Sequence, residues 1–431
     1  MTNLPQAFID RMAEQLGSEL PAFLRTYDEP FQRGVRLNPH KATLQQPEGL
    51  EAPVPWEPTG RYLSLGSRAG ASILHEAGAW YLQEPSAMIP AAVLNPQPGE
   101  RVLDLCAAPG GKSTQLGLRM AGQGTLVCNE PIHDRARILS RNIERMGIPN
   151  AIVTSAYPDS LAALWPEAFD AIQCDAPCSG EGMFRRHPET RAEWSPESPA
   201  GCARRQLDIL HSAALMLRPG GRLVYSTCTL NQIENEGVIE TFLQGHDDFT
   251  LEPFALPMLS APEGMLTVFP HHVRGEGHFV ALLRRRGQGT AVWKTASPKE
   301  YAPDKAALAA LHAFMPGQAA NISFGGEMRH CPDFPDFTRA RGVQVLRTGL
   351  HLGTVKGKVF VPDHAWAMAI CPPDVPRIDL TEADARLYQS GQVIPVHGKG
   401  WVLPCYAELP LGWGKVSDGM MKNHYPKGLR R

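Results

Sequence analysis

Two of the nine cysteines stand where a thiol could do chemistry. Cys178 closes Asp175-Ala176-Pro177-Cys178, after an apolar run at 169–174, and Cys228 lies in Ser226-Thr227-Cys228-Thr229, after another at 222–225. If both runs are strands of an open parallel sheet, both thiols sit at its carboxyl edge, beside the crevice where such sheets bind ligands. A thiolate there, near a helix N-terminus or a basic group, is a competent nucleophile. A single cysteine is more often a small buried hydrophobe. Two at neighbouring strand tips, one of them beside an acid, fit that blander reading poorly. The other seven, at 106, 128, 174, 202, 331, 371 and 405, are scattered with no C-x-x-C pair, so the usual zinc and thioredoxin signatures are missing and free thiols are expected. His271, His272 and His278 lack metal-ligand spacing, and no metal is assigned.

A second candidate precedes them. The run Val102-Leu103-Asp104-Leu105-Cys106 leads into Ala107-Ala108-Pro109-Gly110-Gly111-Lys112-Ser113 and then a helical pattern. Small residues let a backbone approach a ligand, and a helix start offers unpaired N–H groups. The string is not a phosphate-binding P-loop, because the required first glycine falls at Cys106, and it is not G-x-G-x-x-G. A tight structural turn is the alternative. About 20 residues on, the next strand ends in Asn129-Glu130, where a carboxylate is placed for ribose hydroxyls.

These residues need a scaffold. Strands are expected at 101–106, 125–129, 151–154, 169–174, 222–226 and 278–285, alternating with helices whose apolar faces are Ile138, Leu139, Ile143, Met146 and Leu207, Leu210, Ala214, Leu217. That alternation implies an α/β, mainly parallel, doubly wound sheet. Residues 1–30 read as helix from Phe8, Ile9, Met12 and Leu16; a proline-punctuated loop follows between Pro39 and Pro58. Residues 287–303 read as a polar linker, and the remainder as a small mixed or β-rich module.

At 431 residues, 43% hydrophobic and 20% charged, the chain fills more than one core and is not disordered. No apolar run approaches the ~20 residues that cross a bilayer, and the first residues carry acids rather than a secretory apolar core. A cytoplasmic protein with no membrane partner is expected. The net charge of −2 divides unevenly: residues 291–431 hold 17 Lys+Arg against 12 Asp+Glu, and the rest 25 against 32. The basic tail, with Lys415, Lys422, Lys427, Arg430 and Arg431, suits a polyanion or is simply solvated.

Taken together, DLCAAPGGK (104–112), NE (129–130), DAPCSGEGMFR (175–185) and YSTCTLNQIENE (225–236) resemble the RNA 5-methylcytosine methyltransferases of the Sun/Fmu type. RLNPHK (36–41) and WYLQEPSAM (80–88) match that family's N-terminal signatures, and PLGWGKVSDGMMKNHYPKGLR (410–430) is similar to the C-terminal module of its RsmF branch. The resemblance implies a Rossmann-like S-adenosylmethionine (SAM)-dependent core at 96–288, an RNA-facing cap at 1–95, and a linker plus α+β PUA-like RNA-binding module at 289–431. It implies a monomer acting on 16S rRNA or the small ribosomal subunit, near the decoding region. Position by position, Cys228 matches the nucleophile that attacks C6 of cytosine, and Asp175 the acid at N3 that also faces the cofactor. Cys178 matches the cysteine implicated in product release. Cys106, Ala107, Ala108, Pro109, Gly110, Gly111 and Lys112 would line SAM, Glu130 would bind its ribose, and Arg135 sits where a cofactor-proximal basic residue is common.

One departure stands out. The family's adenine-side Asp after the third strand is replaced by Thr154-Ser155-Ala156-Tyr157, with Asp159 beyond, so backbone and apolar contacts to adenine are expected. Arg36 and Asn38 resemble the family's RNA-facing motif and are expected to face RNA or to be solvated loop residues, Trp80 and Tyr81 either to stack on nucleotides or to be core, and Arg185, Arg186 and His187 to touch phosphates or to be merely exposed. Rival readings are a tRNA or other rRNA cytosine enzyme, a non-catalytic RNA assembly factor on the same fold, an exocyclic-nitrogen methyltransferase, and a DNA enzyme that would leave Cys228 idle.

Overall fold

The computed structural model describes residues 4–337 and 340–430; Arg431, at the end of the basic tail, lies outside them. Its centre is a nine-stranded sheet built from β1 (Arg101–Asp104), β2 (Thr125–Asn129), β3 (Ala151–Ser155), β4 (Phe169–Asp175), β5 (Leu217–Thr227), β6 (Phe249–Leu251), β7 (Met265–Val268), β8 (His278–Arg285) and β9 (Gln344–Thr348). The order is β6-β8-β5-β4-β1-β2-β3-β9, with β7 on β8. Strands β1 to β5 are mutually parallel neighbours, and β8 and β9 run antiparallel to β5 and β3. The chain reverses its winding direction between β1 and β4, so their carboxyl ends open a crevice.

The crossovers are α1 (Gly111–Arg119), α2 (His133–Met146), α3 (Pro158–Leu164) and α4 (Ser198–Met216). Every residue of β2 and β3 is buried, as in a sheet covered on both faces. Leu103, Val127, Ile152 and Ile172 join one apolar cluster; their strand neighbours Val102, Leu126, Val153 and Ala171 join another on the opposite face. Helix α2 buries Ala136, Leu139, Ile143 and Met146 at helical spacing and ends at Gly147, whose φ of +77° is a left-handed cap.

Three expectations change. Ile138 is half exposed and Ala136 takes its place on the buried stripe. Strand β5 starts at Leu217, not at 222, so Leu217 leaves the helix face assigned to it. The polar segment 287–303 is pinned: the buried Trp293 packs at 5.6 Å on Trp165 and 5.8 Å on Phe169, with the Arg101 guanidinium 4.7 Å above it.

Around this core, the N-terminal helices Gln6–Leu16 and Leu20–Arg25 bury Phe8, Met12 and Phe23 against Phe184, Leu230 and Phe269. The stretch between Pro39 and Pro58 includes a strand, Leu50–Pro53, in a four-stranded sheet with Gly60–Leu63, Arg33–Leu37 and Trp80–Leu82. That sheet's Val35, Leu63 and Trp80 share one buried cluster with Tyr388, Val402, Val416 and Met421 of the C-terminal part. The C-terminal region builds a four-stranded and a six-stranded sheet and also supplies β9 to the edge of the central nine-stranded one.

Candidate active site

Each candidate side chain leaves the sheet at its carboxyl edge. Cys106 follows β1, Glu130 follows β2, Asp175 ends β4 and Cys228 follows β5. A cavity of about 830 Å³ joins them, and its wall includes Cys106, Ala108, Glu130, Arg135, Asp175, Cys178 and Cys228. Ala107, Pro109, Gly110, Gly111 and Lys112, expected at the cofactor, are not on that wall. Gly110 has φ +113°, and a Cβ there would press Leu139 of α2 at 3.1 Å, so the glycine serves the turn and its packing.

The two thiols meet. Cys178 Sγ and Cys228 Sγ are 3.2 Å apart. That contact with Cys228, with burial second, pushes the Cys178 thiol well above the ordinary cysteine range, and either sulfur can be the donor of the S–H between them. The strings after each cysteine hold this geometry. Glu234 accepts from the Ser179 N–H at 2.9 Å, from Gln206 Nε2 at 2.9 Å and from Asn231 Nδ2 at 2.7 Å. Asn235 accepts from Thr227 Oγ1 at 2.6 Å and donates to the Thr229 carbonyl at 3.2 Å, bracketing Cys228. The Gly182 N–H donates to the Cys228 carbonyl at 2.9 Å. A Cβ on Gly182 would lie 2.4 Å from the Gly277 oxygen and 2.8 Å from that same carbonyl, so only glycine fits.

Beside the thiols, Asp175 is bound on both oxygens. Lys112 Nζ donates to Oδ2 at 2.8 Å and Ser226 Oγ to Oδ1 at 2.7 Å. Burial acts to raise this carboxyl, but Lys112 and these hydrogen bonds outweigh it and hold it below the usual carboxylate range. Burial likewise acts against the Lys112 charge, and Asp175 outweighs it. The buried His278 has Nε2 4.0 Å from Asp175 Oδ1; burial, then Lys112, lowers it to about 3, so it stays neutral. Below the turn, Asp104 accepts from Ser113 Oγ at 2.6 Å, and burial pushes it up to about 7. Sequence reasoning passed over Ser226, His278 and Asp104 as site residues, although two of them lie inside the quoted strings.

On the cofactor side, Glu130 is buried and accepts from the Ile132 N–H at 3.0 Å. Arg135 Nη1 is 3.4 Å from Glu130, and its Nη2 donates to the Ala108 carbonyl at 3.2 Å, bridging the turn to the acid. Tyr157, 72% exposed, and Asp159 also line the cavity where the missing acid was sought. A ribose-sized diol facing Glu130, with an apolar wall leading to the thiols, suits the residues present.

Comparison with known proteins decides the family. The chain is 34% identical to Ribosomal RNA small subunit methyltransferase F of Escherichia coli O139:H28 over 99% of its own length and 96% of the relative's, and equally to that of Klebsiella pneumoniae strain 342 over the same shares. The chain belongs to the RsmF family of 16S rRNA methyltransferases. Family models match in order along it: the N-terminal domain of 16S rRNA methyltransferase RsmF at 4–85, 16S rRNA methyltransferase RsmB/F at 91–284, the RsmF first C-terminal domain at 312–370 and the RsmF PUA domain at 375–431. A methyltransferase homologue from Pyrococcus horikoshii is 30% identical with a TM-score of 0.57, covering 66% of this chain and 96% of its own.

Within the RsmF N-terminal domain, the residues expected to face RNA are internal. Arg36, 1% exposed, donates to Gln83 at 2.8 Å, to Thr114 at 2.7 Å and to the Gly111 carbonyl at 3.0 Å. Asn38 donates to the carbonyls of Gly78 at 2.9 Å and Met146 at 3.0 Å. Trp80 and Tyr81 are core. Arg185 is buried on Glu276, while Arg186 lies 5.4 Å over Phe31 and His187 is exposed. The RNA-facing reading of Arg36, Asn38 and Arg185 is thus replaced by a structural one: their donors are spent on the backbone and on buried acids.

Proposed function

We propose that this protein methylates C5 of a cytosine in 16S rRNA, near the decoding region of the small subunit, through a covalent bond between Cys228 and C6. The carrying observation is the thiol pair at 3.2 Å beside the Lys112–Asp175 ion pair, on a cavity that also reaches Glu130. The substrate reading is supported by relatives named for the small-subunit rRNA.

Cytosine C5 is too electron-poor to attack a methyl donor directly, so a nucleophile must first add at C6. Cys228 thiolate forms that bond, and the C5–C6 π pair moves toward C5 and N3. Asp175, held ionised, has no proton of its own to give; N3 takes its proton from solvent water, and the carboxylate accepts the resulting N3–H hydrogen bond. SAM supplies the electrophilic methyl group when bound. Cys106 and Ala108 would line it, Glu130 would hold its ribose and Arg135 would brace Glu130, while Lys112 serves Asp175. For release, water takes the C5 proton, the C5–H pair restores the C5=C6 bond, the Cys228–C6 pair returns to sulfur, and N3 gives its proton back to solvent. Cys178, in contact with Cys228 sulfur, assists that departure. The target base must be unstacked to reach the cavity, with the PUA domain holding the surrounding RNA.

The test follows labelled methyl transfer from SAM and denaturant-stable protein–RNA adducts, using small subunits, free 16S rRNA and tRNA. Cys228→Ala should abolish both signals, and Cys178→Ala should accumulate the adduct. Adducts that survive Cys228→Ala and vanish in Cys178→Ala would reverse the roles. Absence of transfer by the parent chain on all three RNAs would sink the reading.

A further inference from the structure

We propose that Glu19, His271 and His272 form a binding site for a divalent ion of the zinc class, which clamps the N-terminal helices to the catalytic domain. Helix Gln6–Leu16 stops at Gly17, φ +51°, and the single turn Gly17–Glu19 presents Glu19 before Leu20–Arg25 begins. Glu19 Oε2 lies 2.9 Å from His271 Nε2 and 2.5 Å from His272 Nε2, although the two segments are about 252 residues apart in sequence. The ligand atoms of all three residues fall within 4.8 Å of one another, and among the described residues no other three His, Cys, Asp or Glu converge in this way.

The site is partly preformed. His271 is 6% exposed on its side chain and wedged edge-on to Phe23 at 5.7 Å and against Phe269 at 5.7 Å. The turn that brings both rings to one side is closed by the N–H groups of His272 and Val273 on the Phe269 carbonyl, at 3.0 and 3.3 Å. Glu19 and His272 are 52% and 50% exposed, and so can move apart by the roughly 0.4–1.1 Å that separates their present contacts from the ~3.3–3.6 Å spacing of tetrahedral ligands at about 2.0–2.2 Å from an ion.

Two imidazoles and one carboxylate are a zinc donor set; magnesium and calcium take oxygen ligands. Without an ion, one carboxylate oxygen must accept from both Nε2–H groups. A divalent ion replaces those two hydrogen bonds with two Nε2–metal bonds, each ring then carrying its proton on Nδ1, and leaves a fourth position to water. The tie spans the apolar core in which Phe8 and Phe23 meet Phe184 and Leu230, residues that follow the Cys178 and Cys228 loops. Sequence spacing could not reveal it, because the third ligand comes from the N-terminal helices, 252 residues before His271.

The active-site thiols also bind soft metals, so the test uses the full chain carrying Cys178→Ser and Cys228→Ser, freed of metal and titrated with Co²⁺ and then Zn²⁺. One equivalent of Co²⁺ should give visible d–d bands without thiolate charge transfer, and Zn²⁺ should raise Tm. His272→Ala and Glu19→Gln, in the same background, should each weaken binding by more than about 100-fold, the upper end of what losing an outer-shell partner does, and cancel the rise in Tm. Glu19→Gln keeps a hydrogen-bond acceptor and so separates loss of metal from loss of fold. Zn²⁺ binding that is unchanged in both variants, or no saturable binding by the parent, would overturn the site. Saturable binding without a rise in Tm would overturn the clamp.

Discussion

Lys112 and Asp175 hold each other across the crevice, Nζ to Oδ2 at 2.8 Å, and so join the end of the glycine turn to the tip of β4. The lysine that closes the turn is thereby engaged by the acid. Burial works against the charge of each partner, and each outweighs that effect for the other.

Removing the lysine should therefore move the acid limb of the pH profile. Asp175 is held below its ordinary range, so a reaction that needs the carboxylate is lost only as pH falls through that lowered value. In Lys112→Met, burial acts unopposed by the ammonium and the carboxyl rises. Methyl transfer should then fall off at a higher pH than in the parent, and the plateau rate should drop by about 10-fold or more. The pH dependence of single-turnover methyl transfer measures both. An acid limb that stays in place would show that Asp175 ionisation is not what limits it.

Glu130→Gln should weaken SAM binding without RNA by about 10- to 100-fold, since hydrogen bonds to a charged group are worth roughly 1.5–3 kcal/mol. Calorimetric titration of the RNA-free protein reads this directly. Asp159→Asn, at the less buried end of the same cavity, should cost less. The reverse ranking would move the cofactor's main polar anchor from the tip of β2 to α3.

The contrast between what could be read from the sequence and what could not has a physical pattern. Strand β8 was legible end to end as His278–Arg285, and the thiols at the tips of β4 and β5 followed from apolar runs ending in polar strings. Those features are local. Strand β9, Gln344–Thr348, escaped notice because only its last two residues are buried and its partner β3 lies some 190 residues earlier, in a domain the charge pattern had set apart. Arg36, Asn38 and Arg185 were misread for the same reason: charge and amide suggest a wet surface unless the acceptors, scattered along the chain, are known. The Glu19–His271–His272 group had no local signal at all.

Arg36→Ala separates the two readings of the RLNPHK string. Its guanidinium fills three acceptors inside the protein, so its loss should leave buried groups unpaired and lower stability by about 1–3 kcal/mol or more. RNA affinity at a temperature where the variant is folded, and the slope of that affinity against salt, should not change, because no phosphate contact is lost. A salt slope reduced by about one would restore the RNA-facing role.

The strongest stability effect should come from Arg185. Its Nε and Nη2 donate to Glu276 at 2.9 Å each, Nη2 also to the Gly275 carbonyl at 2.8 Å, and Nη1 to the Thr26 carbonyl at 3.2 Å. Glu276 in turn accepts from the Gln32 N–H at 3.1 Å, so one ion pair ties the N-terminal segment to the loop ahead of β8. Breaking a buried pair by removing one partner strands the other charge, at a cost of about 3–5 kcal/mol. Arg185→Ala should lose that much by urea denaturation, while the neighbouring Arg186→Ala, which gives up a contact 5.4 Å over Phe31, should lose only about 0.5–1 kcal/mol. Replacing both partners, as Arg185→Met with Glu276→Leu, should recover part of the loss because no charge is left unpaired. If the double variant is less stable than Arg185→Ala, the backbone acceptors at Gly275 and Thr26, rather than the stranded carboxylate, set the cost.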